Sequence, residues 1–92
     1  MALLIKTNGE ITEIKPSSGE CFTLEELQKA VDGYIEIINV PGGKVLVVDE
    51  EGKLKRKEVN AVAMAFAHTS GAVHPSDAIV GDVLLCEDRE ID

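Results

Sequence analysis

Apolar residues fall in short blocks along this chain, and the spacing inside each block predicts its element. Ala2 to Thr7 is apolar and β-rich, with Lys6 near its end. Asn8-Gly9 follows, a dipeptide that signals a two-residue hairpin because both positions tolerate positive φ. Glu10 to Lys15 predicts a second strand. Its Ile11 and Ile14 break strict alternation, which predicts a bulge or a short, poorly buried strand. Pro16 to Gly19 reads as loop.

Thr23-Leu24-Glu25-Glu26 has the form of a capping box, in which the Thr hydroxyl and the Glu carboxylate satisfy amides that a helix start leaves unpaired. Phe22 just before it is placed to staple onto Leu27. Leu24, Leu27 and Val31 share one helical face, with Ala30 beside them. Gly33 is placed to end the helix in the left-handed conformation.

Tyr34 to Val40 predicts a strand, Pro41-Gly42-Gly43 a turn, and Lys44 to Asp49 another strand. Val45-Leu46-Val47-Val48 is apolar throughout. Such a run predicts that both faces are covered, by helices or by a second subunit. Glu50-Glu51-Gly52 turns the chain. Lys53 to Val59 is expected as a further, basic strand at a sheet edge, where lysines resist unwanted pairing. Asn60 is a good N-cap for an alanine-rich helix from Ala61 to His68, with Val62 and Phe66 one turn apart. Thr69 to Asp77 reads as loop, Ala78 to Cys86 as a closing strand interrupted by Gly81, and Glu87 to Asp92 as a frayed acidic end. The fold class is therefore α+β: a small, mainly antiparallel sheet of four to five strands with two helices, in the order β-β-α-β-β-(β)-α-β.

Ninety-two residues make one domain, residues 1–92, with a thin core. Phe22, Tyr34 and Phe66 are the only aromatics, so the core must come from Ile, Val, Leu and Ala. Small domains often add a disulfide, a metal or a partner subunit. Cys21 and Cys86 share no close spacing and read as two apolar residues in a reducing cytoplasm, a disulfide joining the two ends being the alternative. A homo-oligomer, most simply a two-fold dimer, is the expected support. No apolar run reaches membrane-spanning length, and Met1 to Lys6 is too short for a secretory signal, so a cytoplasmic location and no membrane partner are expected.

Charge changes the picture further. The net charge is −8, unevenly spread: −6 over residues 1–52, +3 over 53–60 and −5 over 61–92. An acidic chain is repelled by nucleic acid, so double-stranded DNA or RNA is not an expected partner. A small anion at the single basic stretch remains open.

Three stretches together resemble a known family. They are Leu24 to Glu36 (LEELQKAVDGYIE), Leu46 to Leu54 (LVVDEEGKL), and Asn60 with Ala63 followed by Ile79-Val80-Gly81-Asp82-Val83. In this order and spacing they resemble the domain-of-unknown-function family 3846, small proteins of phages, plasmids and other bacterial mobile elements. The resemblance implies a host bacterial cytoplasm and an accessory role such as countering host defence. It carries over no catalytic residues.

The best site candidate is the basic stretch. In a strand, Lys53, Lys55 and Lys57 share one face. The helix begun by Asn60 offers free amides that favour a phosphate. Arg56 and a neighbouring lysine would neutralise the phosphate, Asn60 and the amides after it would supply hydrogen bonds, and Tyr34 or Phe66 a stacking face. The plainer reading of each lysine is solubility at a sheet edge. His68 and His74, with Asp77 or a cysteine, match no standard zinc spacing, and a helix-end role suits His68 better. Ser70 with His68 lacks a nucleophile elbow and an orienting carboxylate. Asp49-Glu50-Glu51 reads as a solvated turn. No enzyme, metal or cofactor is expected. Together with the setting that the resemblance implies, the basic stretch leads to the expectation of a non-enzymatic protein that sequesters a small phosphate-bearing ligand, such as a cyclic nucleotide signal, between subunits. The alternative is an acidic inhibitor, or DNA mimic, acting on a host defence enzyme.

Overall fold

The computed structural model describes residues 2–17, 19–71 and 78–91. Five strands form one antiparallel sheet: β1 (Ala2–Ile5), β2 (Ile11–Ile14), β3 (Ile35–Val40), β4 (Lys44–Asp49) and β5 (Val83–Glu87). Their spatial order is β2-β1-β5-β4-β3. Two helices complete the fold, α1 (Leu24–Val31) and α2 (Ala61–Thr69).

The helices lie on opposite faces of the sheet. Alternation along each strand sorts the core into two layers. Val45, Val47, Leu84 and Cys86 pack with Leu27 and Val31 of α1. Leu46, Val48 and Val83 pack with Ala63 and Ala67 of α2. Each such aliphatic side chain withdrawn from water contributes about 1.5–3 kcal/mol. The apolar run of β4 is thus covered by a helix on either face, and it offers no surface to a second subunit.

Local chemistry explains the ends of these elements. The capping box is formed: the Glu26 amide donates to Thr23 Oγ1 at 3.1 Å, and the Thr23 amide donates to Glu26 Oε1 at 2.9 Å. Glu26 also accepts from the Ser17 amide at 3.0 Å. The Thr23 amide first, then that of Ser17, holds its carboxyl below the usual range. Phe22 and Leu27 share the α1-side core. Leu24 does not join it and remains 58% exposed.

Several expectations are corrected. The turn after β1 closes through Lys6 and Gly9, the Gly9 amide donating to Lys6 O at 3.0 Å, and only Gly9 takes positive φ (92°). Asn8 instead accepts the Glu10 amide on its side chain at 2.9 Å. No bulge forms in β2, whose register with β1 is unbroken from Ala2↔Ile14 to Ile5↔Ile11, and the strand is instead short and poorly buried, the other outcome its spacing allowed. Ile14 faces the α1 layer and Ile11 is exposed. The left-handed residue ending α1 is Asp32 (φ 57°), not Gly33. Asp tolerates that backbone because its short polar side chain bonds locally.

Lys53 to Val59 is not a strand. Residues 53–56 form turns, and the one strand-like pairing of the segment among the described residues is the isolated bridge Val59↔Val80. The Arg56 amide donates to Lys53 O and the Lys57 amide to Gly52 O, both at 3.1 Å. That pattern, with Arg56 left-handed at φ 58°, is a Schellman closure. The closing strand is shorter than expected, with Ala78 to Gly81 leading into it and Val80 in the bridge. Nor does the acidic end fray through Ile91. Asp88–Glu90 is a 3-10 turn, Glu90 is buried and accepts the Glu87 amide at 2.8 Å, and Ile91 bridges Phe22. His74 and Asp77 lie outside the described residues, as do Met1, Ser18 and Asp92.

Candidate functional site

The basic stretch converges on Asp49, at the end of β4. The carboxylate is shut off from solvent, with 0% side-chain exposure, and Oδ2 lies 2.9 Å from Lys55 Nζ and 2.7 Å from Lys57 Nζ. Oδ1 accepts the Glu51 amide at 2.9 Å. Burial alone would raise the Asp49 pKa. The hydrogen bonds from Lys57, Lys55 and the Glu51 amide, with the Lys57 charge, outweigh it and hold the carboxyl at about 2. The same bond to Asp49 raises the pKa of Lys55.

Both ammonium groups also cap α1. Lys57 Nζ donates to Val31 O at 2.6 Å and Asp32 O at 3.0 Å, and Lys55 Nζ to Asp32 O at 3.1 Å. The carbonyl end of a helix is its negative pole, so two cations there satisfy acceptors that the helix leaves open. This explains why 53–57 curls into turns. An extended strand would carry the lysines away and leave a buried carboxylate unpaired, which costs several kcal/mol.

Gly33 completes the arrangement by close approach. A β-carbon there would lie 2.5 Å from Lys55 Nζ and 2.6 Å from Asp49 Oδ1. Asp49, expected as a solvated turn residue, is the organising group that sequence reasoning missed. Its signal was its place as the last residue of an apolar strand, followed six and eight residues on by lysines.

The other expected site residues are dispersed. Asn60 is fully buried and its amide is used. Nδ2 donates to Ile5 O and Gly81 O, both at 2.9 Å, and Oδ1 accepts the Ala63 amide at 3.1 Å. It is an N-cap and a tie between β1 and the approach to β5, with no group left for a ligand. Phe66 packs into the α2-side core, across the sheet from the α1 terminus. Tyr34 is 66% exposed, and its carbonyl accepts the Glu50 amide. Lys53 and Arg56 are exposed. Lys53 lines a cleft of about 210 Å³ with Glu36, Glu50, Ile38 and Val48, a setting too acidic to favour a phosphate.

The thiols of Cys21 and Cys86 are free. Burial, then the nearby Glu90, pushes Cys86 up to about 11, so it is inert. Cys21 Sγ donates to Arg89 O at 3.3 Å. Among the described residues no cluster of three or more His, Cys, Asp or Glu is arranged to hold a metal, and no helix is long and apolar enough to cross a membrane. A shallow apolar groove of about 770 Å³ lies beside α1, lined by Cys21, Leu24, Leu27, Ile35, Ile37 and Ile91 among others. No sequence pattern announced it, since Leu24 and Leu27 were expected on a helix, Ile35 and Ile37 in a strand and Ile91 in a frayed end.

No curated protein and no solved structure matches this chain. One family model does, that of the domain of unknown function DUF3846, over residues 1–92. The whole chain is matched, including the three stretches that frame Asp49 and its lysines, and the protein belongs to the DUF3846 family.

Proposed function

We propose that this protein is a non-catalytic accessory protein that works through its acidic surface, occupying the basic nucleic-acid-binding site of a protein partner. The observation that carries this reading is the inward turn of Lys55 and Lys57 onto Asp49. Setting those three residues aside leaves seven basic against sixteen acidic side chains in the rest of the chain. Two of the four basic side chains of the stretch, Lys55 and Lys57, are turned onto Asp49 and the carbonyl end of α1, so the positive charge left facing outward there is smaller than residue order suggests. A negative field steers association with a basic partner and repels nucleic acid. In the mobile-element setting implied by the family resemblance, the partner is a host defence enzyme in the bacterial cytoplasm.

One observation favours a second reading, sequestration of a small phosphate-bearing ligand such as a cyclic nucleotide. Arg56 is exposed and held in a left-handed backbone that bulky residues avoid.

Competition experiments separate the two. The protein is titrated into DNA-binding assays of bacterial defence nucleases at low and raised salt, beside melting curves with cyclic dinucleotides. The acidic-surface reading expects loss of nuclease–DNA binding that weakens steeply with salt. A melting-temperature rise with a nucleotide, abolished by Arg56→Glu, would transfer the assignment to ligand sequestration. Recovery of a cleaved nucleotide would make the protein an enzyme.

A further inference from the structure

We propose that β3 is a dimerisation edge, at which a second copy of this chain pairs antiparallel about a two-fold axis through Ile37. β3 is the last strand of the sheet among the described residues, next to β4 on one side only. Its hydrogen-bonding direction follows from one contact. The Glu50 amide donates to Tyr34 O at 2.8 Å, so the peptide groups of Tyr34, Glu36 and Ile38 turn toward β4. Those of Ile35, Ile37 and Asn39 then turn outward, because the direction alternates along an antiparallel strand.

A continuous sheet requires opposed residues to share a face, and the side-chain period of two then forces the axis through a residue. An axis at Ile37 pairs Ile37 with the partner's Ile37, and Ile35 with the partner's Asn39. All three outward residues then exchange both of their hydrogen bonds. An axis at Ile38 would instead set Ile35 against the partner's Pro41, which has no amide hydrogen to donate.

Charge selects this edge for a like copy. Each chain carries −8, so two copies meet most easily where charge is least. Within β3 the only charge is Glu36, and the Ile37 axis sets it opposite the partner's Ile38 rather than a second carboxylate. At the other edge, β2 carries Glu13 between Glu10 and Lys15, the kind of charged strand that resists pairing. The groove beside α1 supplies the apolar contact. Ile35 and Ile37 line it. The two-fold places the two Ile37 side chains in contact, joining the grooves of both copies into one apolar seam. Neither the covered β4 run nor α2 is used. This proposal is independent of which partner or ligand the acidic surface takes.

The test is sedimentation of the full chain across the micromolar range, with two variants. Ile37→Lys puts two ammonium groups face to face at the axis. Asn39→Pro removes an outward amide and spares the β3–β4 ladder. The wild type is expected near twice the 9.9 kDa chain mass. Both variants should sediment as monomers with wild-type far-ultraviolet circular dichroism. A wild type that stays at 9.9 kDa throughout overturns the proposal. So does a dimer that survives in both variants, which would place the interface elsewhere.

Discussion

Lys57 Nζ sits 2.7 Å from Asp49 Oδ2 and 2.6 Å from Val31 O, so one ammonium group ties the end of β4 to the end of α1. This bond anchors the 50–57 turns on the sheet, and its consequences can be measured.

The first is a pH dependence. The Asp49 pKa falls from 3.8 to about 2 on folding, so the carboxylate contributes stability that is fully present above about pH 4. That stability is lost as pH falls toward 2. Its size is on the order of 1–2 kcal/mol once solvent screening at the 40%-exposed Lys55 is allowed for. Urea melts at pH 6 and pH 3 should show the drop in the wild type. Asp49→Asn should be less stable at pH 6 and lose less between the two. An equal loss in both proteins would assign the acid sensitivity to other carboxylates.

Gly33→Ala should destabilise by about 1–3 kcal/mol through overpacking, although alanine is ordinarily easy to place. The added β-carbon meets Asp49, whose two lysine bonds leave it little room to move. Thermal denaturation reads the effect. A melting temperature equal to wild type would mean that the turn carrying Lys55 yields freely.

Asn60→Ala removes a helix cap and the buried amide that donates to Ile5 O and Gly81 O. Loss of the cap costs about 1 kcal/mol and each lost buried hydrogen bond about 0.5–1.5 kcal/mol more. The expected result is a poorly folded protein, seen as collapse of amide dispersion in nuclear magnetic resonance spectra. A well-dispersed, stable Asn60→Ala would show that water replaces the amide at no cost.

Thr23→Ala should lower stability by about 1 kcal/mol, a shift of several degrees in a domain of this size. Thr23→Ser should restore it, since the serine hydroxyl can accept the same Glu26 amide. Failure of serine to rescue would trace the loss to the threonine methyl group.

The sequence by itself determined those features that depend on neighbours in the chain. The capping box at Thr23 and Glu26, the N-cap at Asn60 and the helices they begin rest on contacts three or four residues apart, and all are formed. The α+β class followed from element order, and the apolar run of β4 correctly required cover on both faces. What only the tertiary structure decided was where charge and open edges end up. Lys55 and Lys57 read as an exposed basic strand until Asp49 and the carbonyls of Val31 and Asp32 are brought to them from 6 to 26 residues away. Gly33 read as a helix terminator until that cluster filled the space above it. The open edge at β3 likewise depends on strand order, which puts β5 between β1 and β4 and leaves β3 outermost. A local pattern records what a residue prefers, whereas burial of a charge or exposure of a strand edge is set by segments remote in sequence.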